Sequence, residues 1–561
     1  LYYFHCTIGA SDLYDAGLTA KVPDNLNRDY WSGMFGYGYG LCFTTHHQWH
    51  GEMAKLLGPC RSRTAGVPGH TTFEVWLTGG PYGEGRWALL DHDISTVIFT
   101  PDGKRLLGLA EVARDMSSIK KSSKQRGWLV GGLHPSDPGV YKRVKWVGYA
   151  TGYAVAPPMV NLRAGETLRR YPLPGLEDGK TYVYWGINYN KGGILGPERR
   201  RTWVHQPEKL HKATRDAGNR RGTARFANAV YTYKPDFAGG KYRDGVVAES
   251  ASQVTLEFRS PYVVAATPPT TSAAKERWSI YKPGCTNGLV ISGKMTCPVE
   301  ISTDRGKTWK KAPETKDGMD LTDLVKGHMQ YRLRFGAGAK ALAGKGVTIR
   351  TVCQAGTTII PRLKAGKNTI TYQASGQAVV SGGPNIDQTK VVAGAMSSPT
   401  VTLELAAPRD AKAVHVYAAE WVASGSPIRK AKYNIDFSVD GGKTWKPVLK
   451  DYRIIQRPPE PDDWQGQSFV AGDRKLSPTA GPVRVRFTNT GRRKIYRAEA
   501  HLVYKVANTS PLKVTFGYKD GGELKTASHT YAKSAPGKAD TSWTFDAGAK
   551  PQTVWVEYAA Q

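Results

Sequence analysis

The chain has 561 residues, too many for one hydrophobic core, and this length predicts about three or four domains. Its composition, 40% hydrophobic with 62 Gly and 34 Pro, is typical of a folded, β-rich protein and excludes a disordered or collagen-like chain. The 78 Lys and Arg against 47 Asp and Glu give a formal net charge of +31, which favours an anionic polymer as partner.

The charge alone leaves several classes of partner open. Acidic polysaccharide, anionic glycoprotein and nucleic acid all attract a basic protein. No zinc-finger spacing, RNP-type strand or basic-region heptad is present, so nucleic acid is the least favoured of these partners. No apolar run of about 18 residues occurs, and the sequence therefore predicts no membrane span.

Residues 1–125 are the one segment with a mixed helical and strand pattern. A helix is predicted at about 42–57 because apolar residues recur every three or four positions, and Gly58 with Pro59 ends it. The residues in this pattern are Leu41, Thr45, Trp49, Met53 and Leu56. Short strands are predicted at 72–77 and 86–90. Cys42 lies in the first turn of the helix, where unpaired backbone N–H groups favour a thiolate.

The sequence around this helix resembles the transglutaminase-like family, which includes bacterial transglutaminase-like enzymes and peptide N-glycanases. The resemblance covers residues 30–95 and keeps the order of the family's motifs. The matching residues are Gly40-Leu41-Cys42, Leu57-Gly58, Arg63, Gly69-His70, Glu74-Val75, and Trp87 with Asp91. It implies a papain-type core with Cys42 as nucleophile, His70 as general base and Asp91 as the residue that orients His70.

A groove for substrate is expected beside the nucleophile. Aromatic residues alternate with glycine before Cys42, so their rings can line a groove for sugar or peptide groups; core packing is the alternative. The substrate-binding candidates are Trp31, Tyr37, Tyr39, His46, His50 and Arg63. His46 and His50 also have the i, i+4 spacing of a metal pair, but no Glu lies between them as in an HExxH motif. We expect both to face solvent or a polar cleft, and we predict no metal or cofactor.

The rest of the chain is predicted to form β-sandwich domains of immunoglobulin-like or jelly-roll-like type. Short β-type runs such as 181–188 and 253–265 place one sandwich, with basic loops, at 126–266. A linker rich in Pro and Thr at 267–276 separates it from sandwich regions at 277–390 and 391–561. The predicted fold class is therefore α+β, with a catalytic core at 1–125 followed by three β regions.

Two nearly identical segments occur within the β regions. Residues 301–309 (ISTDRGKTW) and 437–445 (FSVDGGKTW) each combine a strand, a tight turn and a Trp. They resemble the Asp-box turn of sialidases and other secreted carbohydrate-active proteins. Because Asp side chains commonly hydrogen-bond the backbone of such turns, we predict that the shared residues serve the fold and not catalysis. These residues are Asp304, Trp309, Asp440 and Trp445.

The six cysteines indicate an exported protein with one working thiol. Cys285 with Cys297, and Cys6 with Cys60, are candidates for structural disulfides, which would leave Cys42 and Cys353 single. The chain begins at Leu1, so we expect a signal peptide to lie outside this numbering. The predicted location is extracellular or periplasmic.

Three functions are compatible with these features. The favoured one is a secreted thiol enzyme that hydrolyses or transfers an amide on an anionic extracellular polymer, either acidic polysaccharide or glycoprotein. The alternative is a polysaccharide lyase that cleaves a uronate or sulfated glycan by β-elimination, with His70 or a nearby Tyr as base. The third possible function is that of a non-catalytic glycan-binding protein.

Overall fold

The computed structural model describes residues 4–5, 39–40, 46, 49–50, 53–54, 56–68, 70–91, 97–115, 117, 141, 146–150, 160–172, 175–184, 226–269, 283–356, 360–371, 376–382, 390–394, 398–408, 411–422, 431–458, 465–491, 495–506, 510–531 and 542–561. Most of these residues lie in strands that form several sheets, which confirms the β-rich part of the predicted fold. None of the helices in this part of the chain has the length and apolar composition needed to cross a membrane.

The first part of the chain contains seven described strands, a helix before the third strand that is described in part, and a further helix after the fifth strand. The strands are β1 (Phe4–His5), β2 (Tyr39–Gly40), β3 (Ser62–Val67), β4 (His70–Leu77), β5 (Arg86–Leu89), β6 (Trp146–Ala150) and β7 (Glu166–Tyr171), and the helix after β5 is α1 (Leu109–Arg114). Strands β4 and β5 confirm the strands predicted at 72–77 and 86–90.

The predicted helix before β3 is present in the residues described there. His46, Trp49, His50, Met53, Ala54, Leu56 and Leu57 are helical. The Gly58 N–H donates to the Ala54 carbonyl at 3.0 Å, and Gly58 has a φ of 93°. Glycine adopts this left-handed conformation without a steric penalty, so the helix ends where the sequence predicted.

Residues 226–356 form a β-sandwich, called here the first sandwich. Its strands are β8 (Phe226–Tyr233), β9 (Val246–Ser250), β10 (Gln253–Arg259), β11 (Val263–Val264), β12 (Leu289–Ser292), β13 (Val299–Ser302), β14 (Lys310–Lys311), β15 (Met319–Asp320), β16 (Gln330–Phe335) and β17 (Thr348–Gly356). Two short helices, α2 (Thr322–Val325) and α3 (Ala339–Leu342), connect strands. The predicted run 253–265 is split into β10 and β11 at Pro261, which has no N–H for a sheet hydrogen bond.

Residues 377–505 form the second sandwich, which one described strand precedes and four described strands follow. The remaining strands are β18 (Lys367–Thr371), β19 (Gln377–Gly382), β20 (Lys390–Gly394), β21 (Thr400–Ala406), β22 (Ala413–Val422), β23 (Tyr433–Ser438), β24 (Lys446–Tyr452), β25 (Gln465–Thr479), β26 (Pro482–Asn489), β27 (Ile495–Lys505), β28 (Leu512–Asp520), β29 (Glu523–Tyr531), β30 (Ser542–Asp546) and β31 (Gln552–Ala560).

The two sandwiches have the same topology. One sheet has the order β14-β13-β16-β10-β9 in the first sandwich and β24-β23-β26-β21-β20 in the second. The facing sheets have the orders β15-β12-β17-β8 and β25-β22-β27-β19, which correspond strand for strand. The sequence repeat at 301–309 and 437–445 is therefore the recognisable part of a duplication that spans whole sandwiches.

One sheet of each sandwich continues into strands from another part of the chain. Strand β8 of the first sandwich pairs with β7, and the sheet continues through β31, β28 and β29. Strand β25 of the second sandwich pairs in parallel with β6, and this sheet continues through β3, β4 and β5. Residues 62–89 and 465–479, which the sequence pattern assigned to different domains, thus belong to one eight-stranded sheet.

The buried core of the second sandwich extends along this shared sheet to the strands of the candidate site. Trp76, Trp87 and Leu89 belong to the same buried cluster as Leu403 and Val485 of the second sandwich. The first sandwich has its own buried cluster, and so do the strands at the end of the chain. Burial of apolar side chains therefore ties the strands of the candidate site to the second sandwich.

Candidate active site

The antiparallel pairing of β4 and β5 brings His70 and Asp91 together. Glu74 of β4 lies opposite Leu89 of β5, so the start of β4 lies beside the end of β5. His70 is the first residue of β4, and Asp91 follows β5. His70 Nε2 lies 2.6 Å from Asp91 Oδ2, and the two residues are only 5% and 1% exposed.

Two further side chains contact the same carboxylate. His46 Nε2 lies 3.3 Å from Asp91 Oδ1, and the Tyr141 hydroxyl donates to Asp91 Oδ2 at 3.5 Å. The ring of His46 stacks on Phe73 with a centroid separation of 5.8 Å. Three side chains, those of His70, His46 and Tyr141, therefore contact the Asp91 carboxylate.

These contacts determine the protonation state of Asp91. Burial acts to raise the pKa of this carboxyl, but the charges of His70 and His46 and their hydrogen bonds hold the pKa well below its usual value. An ionised Asp91 accepts a hydrogen bond from Nε2–H of His70. This bond fixes the orientation of the ring and the Nε2–H tautomer.

His50 has surroundings different from those expected for a substrate ligand. It is 1% exposed, and its Nδ1 lies 2.9 Å from the hydroxyl of Ser62. Burial first, and the charge of His46 second, lower the pKa of His50 to about 3. We expected His46 and His50 to face solvent or a polar cleft, but the helix turns both toward β3 and β4, where Ser62 and Phe73 cover them.

Arg63 is also buried, although it was predicted to bind substrate. Its Nε donates to Glu74 Oε2 at 2.6 Å, and its guanidinium lies 4.0 Å from the centre of the Trp87 ring. The second oxygen of Glu74 accepts the N–H of Leu109 at the start of α1 at 2.5 Å. Because a fully buried ion pair presents no surface to a ligand, the geometry gives Arg63 a role in the fold.

Several predicted site residues cannot be compared with the structure. Cys42, Trp31 and Tyr37 lie outside the described residues, and Tyr39 is described only as backbone of β2, which pairs with β1. The structure therefore brings together the base and the orienting residue of the predicted triad. It also adds Tyr141 and the contact from His46 to Asp91. The sequence around Asp91 does not indicate a contact with Tyr141, because Tyr141 is 50 residues away from Asp91 in the chain.

The cysteines differ from the predicted disulfides. Among the described residues, Cys60, Cys285, Cys297 and Cys353 form no disulfide. Cys285 precedes β12 and Cys297 follows it, and the Lys326 ammonium donates to the Cys285 sulfur at 3.3 Å.

Cys60 also has a partner other than the predicted Cys6, which lies outside the described residues. The Cys60 sulfur contacts the Tyr452 hydroxyl at 3.4 Å, and Tyr452 belongs to β24 of the second sandwich. Within the described ranges no group of three or more His, Cys, Asp or Glu is arranged to hold a metal ion.

The first Asp-box segment forms a turn tied by its own side chains. Asp304 accepts hydrogen bonds from the backbone N–H and the hydroxyl of Thr308, at 2.9 and 2.6 Å. The Ser302 hydroxyl donates to Asp304 at 2.7 Å, and the Trp309 indole N–H donates to the Gly306 carbonyl at 3.1 Å. These bonds give the turn the structural role that the sequence predicted.

The second segment repeats these bonds. Asp440 accepts from the backbone N–H and the hydroxyl of Thr444, at 3.0 and 2.5 Å, and the Ser438 hydroxyl donates to Asp440 at 2.7 Å. In both copies an arginine of the neighbouring strand stacks on the Trp. The distances from the guanidinium carbon to the ring centre are 3.9 Å for Arg334 on Trp309 and 4.1 Å for Arg486 on Trp445.

Comparison with known proteins finds a family match at the first Asp-box turn. The BNR/Asp-box repeat family matches residues 300–311, which include the first of the two turns. Among solved structures, the infectious bursal disease virus VP2 subviral particle is similar over 64% of this chain and 84% of that chain, with 9% identity and a TM-score of 0.14, a similarity too low to carry an argument about the fold. No curated protein matches the chain.

Proposed function

We propose that the chain is a secreted thiol enzyme with a transglutaminase-like, papain-type core, acting on amide groups of an anionic extracellular polymer. The observation that carries this proposal is the buried pair of His70 and Asp91, 2.6 Å apart, on strands that follow the helix after Cys42. An imidazole held by an ionised carboxylate is the arrangement that a thiol nucleophile needs. The formal charge of +31 and the Asp-box match support a glycan-rich setting.

The chemistry follows from the roles of three residues. His70 would take the proton of the Cys42 thiol, and the thiolate would attack the carbonyl carbon of the amide. When the carbon–nitrogen bond breaks, the protonated His70 would return its proton to the leaving amine. Water or a second amine would then release the acyl group from Cys42. Asp91 would stabilise the imidazolium formed in each half-reaction.

The test targets the Cys42 thiol, because neither a polysaccharide lyase nor a non-catalytic binding protein requires it. Cys42→Ala should abolish amide turnover, and alkylation of the intact protein at neutral pH should modify Cys42 and stop turnover. Cys60→Ala and Cys353→Ala are the controls: burial raises the pKa of both thiols, that of Cys353 to about 12, so both should react slowly. Unchanged turnover after loss of Cys42 would contradict the proposal.

One observation favours the lyase as second candidate. The Tyr141 hydroxyl lies 3.5 Å from Asp91 and therefore close to His70, so an imidazole and a phenol are both available for proton abstraction from a uronate. A lyase would keep its activity in Cys42→Ala, lose it in His70→Asn, and release an unsaturated product that absorbs ultraviolet light. Polymer binding with no product from any substrate would instead indicate a non-catalytic binding protein.

A further inference from the structure

The outer face of the first sandwich carries three arginines around one carboxylate. Arg332 donates to Glu257 at 2.7 Å, and Arg259 pairs with the other oxygen of Glu257 at 2.5 Å. Arg332 also donates to the backbone carbonyl of Arg305, in the Asp-box turn, at 2.5 Å. We call Arg259, Arg305, Arg332 and Glu257 the arginine cluster.

The second sandwich shows which part of this cluster the fold requires. In the first sandwich, Arg332 lies between Glu257 and Ser302 on neighbouring strands. In the second, Arg484 lies in the same way between Glu404 and Ser438, with the Arg484–Glu404 bond at 2.8 Å. The Arg–Glu pair is thus common to both copies.

The other two arginines belong to the first sandwich alone. Arg259 corresponds to Ala406, the residue two positions after the shared Glu, and Arg305 corresponds to Gly441, the residue after the Asp of the turn. Each copy also has one outer pair beside the Trp, Arg334 with Glu300 and Arg486 with Asp436. The first sandwich thus has four arginines and two glutamates on this face, a net charge of two plus. The second sandwich has two arginines and two acidic residues there, a net charge of zero.

Among the described residues, several polar atoms beside Arg259 lack hydrogen-bond partners. Gln330 lies opposite Arg259 in the β10–β16 register and shares the outer face with Arg332. It is 7% exposed, and neither its amide nitrogen nor its amide oxygen has a partner within the described part of the chain. The Nε and Nη1 atoms of Arg259 are likewise buried without an acceptor there. Buried donors without acceptors are costly, and an anion would satisfy them.

The backbone of Arg305 has a conformation that is unfavourable for residues other than glycine. Its φ is 64°, in the left-handed region that favours glycine, and Gly441 has the same conformation with a φ of 74°. Burial first, and the charges of Arg259 and then Arg332, lower the pKa of Arg305 to about 10. An anion between these guanidinium groups would offset both the repulsion and the loss of water.

We propose that the arginine cluster and Gln330 form a binding site for a compact oxyanion, the sulfate ester or carboxylate group of an acidic polymer. Guanidinium groups bind both anions in bidentate geometry. The side chains of Arg259 and Arg332 are 25% and 23% exposed, which leaves the cluster partly open to a ligand. The identity of the polymer rests on the proposed function, whereas the anion site rests on the geometry of the arginine cluster and Gln330.

The test replaces Arg259 and Arg305 with the residues at the equivalent positions of the second sandwich. The double variant Arg259→Ala, Arg305→Gly carries the residues that the second sandwich already accommodates, so it should fold, with a thermal midpoint equal to or above that of the parent. Sulfate should raise the thermal midpoint of the parent and not that of the double variant. Affinity for heparin or for polygalacturonate should fall at least about tenfold in the variant, because two charge-assisted contacts are lost.

The control removes the same charge elsewhere. Lys446→Ala with Lys450→Ala takes two exposed cations from β24 of the second sandwich and should change polymer affinity less. A preference for heparin assigns a sulfate ligand, and a preference for polygalacturonate assigns a carboxylate. Equal losses in both double variants, or no loss in either, would overturn the site. All binding is measured in a Cys42→Ala background, so these outcomes are independent of whether the thiol is catalytic.

Discussion

Two buried carboxyl groups of this chain have opposite surroundings. Asp91 contacts His70, His46 and Tyr141 and is held ionised, its pKa well below the usual value. Glu420 lies on the core-facing side of β22 between Ala418 and Val422, and neither of its oxygens has a hydrogen-bond partner among the described residues. Burial raises the pKa of Glu420 well above its usual value. Partners, and not burial alone, decide the charge of an interior acid.

Glu420→Gln should stabilise the protein in a pH-dependent way. Because the pKa of Glu420 is raised in the folded state, the unfolded chain releases this proton more readily, and stability falls as pH rises from the unfolded pKa toward the folded one. We expect the free energy of unfolding of the variant to exceed that of the parent by about 1–3 kcal/mol at pH 8. Urea unfolding at pH 4 and pH 8 measures the difference, which should shrink at pH 4.

The exposed Glu523 provides the matched control. Glu523→Gln removes the same charge from the surface strand β29 and should leave the stability nearly unchanged at both pH values. A Glu420→Gln variant that is less stable than the parent at pH 8 would mean that the carboxylate is ionised and paired in the folded protein.

At the scale of elements, the Asp-box turns are self-contained structures. Each Asp accepts from a Thr four residues later and from the Ser two residues earlier, so the turn closes with few groups from the rest of the sandwich. Hydrogen bonds within the turn hold the pKa of Asp304 and Asp440 below the usual value, in Asp304 against the opposing effect of burial. Local bonding explains why nine residues of sequence suffice to recognise the turn.

Asp304→Ala should therefore lower stability without removing a catalytic group. We expect a decrease of about 2–4 °C in the thermal midpoint at neutral pH. The carboxylate contributes stability above the unfolded pKa of about 4, and this contribution is lost as pH falls through the lower folded pKa, so the difference should narrow near pH 3. Calorimetry at both pH values measures this. Glu314→Ala, at an exposed acid, is the control, and loss of turnover with an unchanged midpoint would contradict the structural role.

At the scale of the whole molecule, the candidate site depends on the second sandwich. Strands β3, β4 and β5 extend its sheet through β6. Arg457, which follows β24, donates from Nε to the Cys60 carbonyl at 3.1 Å, and its own carbonyl accepts the Trp87 indole N–H at 3.2 Å. The first sandwich has a separate core. Local stability at His70 should thus follow the second sandwich and not the first.

The duplication supplies a matched pair of variants for this dependence. Leu403 of the second sandwich and Leu256 of the first occupy equivalent core positions, one residue before Glu404 and Glu257, and both are fully buried. Each change to Ala should cost about 2–5 kcal/mol. Native-state hydrogen exchange in β4 and β5 should become faster in Leu403→Ala and remain unchanged in Leu256→Ala. Equal acceleration in both variants would mean that the sandwiches unfold as one unit.

Much of this architecture was predictable from short sequence patterns. Short β-type runs indicated β4 and β5, helical spacing with Gly58 indicated the end of the helix, and the spacing of Asp, Gly, Thr and Trp indicated both Asp-box turns. These features depend on neighbours within a few residues, which the sequence displays directly. The pairing of His70 with Asp91 was predictable only through the resemblance to a family.

The sequence by itself determined the charge, the β-rich class and the turns, because composition and local hydrogen bonding set them. Only the tertiary structure decided that Arg63 and His50 are buried, that Cys285 and Cys297 form no disulfide, and that the duplication extends over whole sandwiches. It alone placed Tyr141 on Asp91 and Arg259 on Glu257. The physical reason is that sheet pairing joins strands far apart in the chain, and burial depends on what the opposite layer supplies.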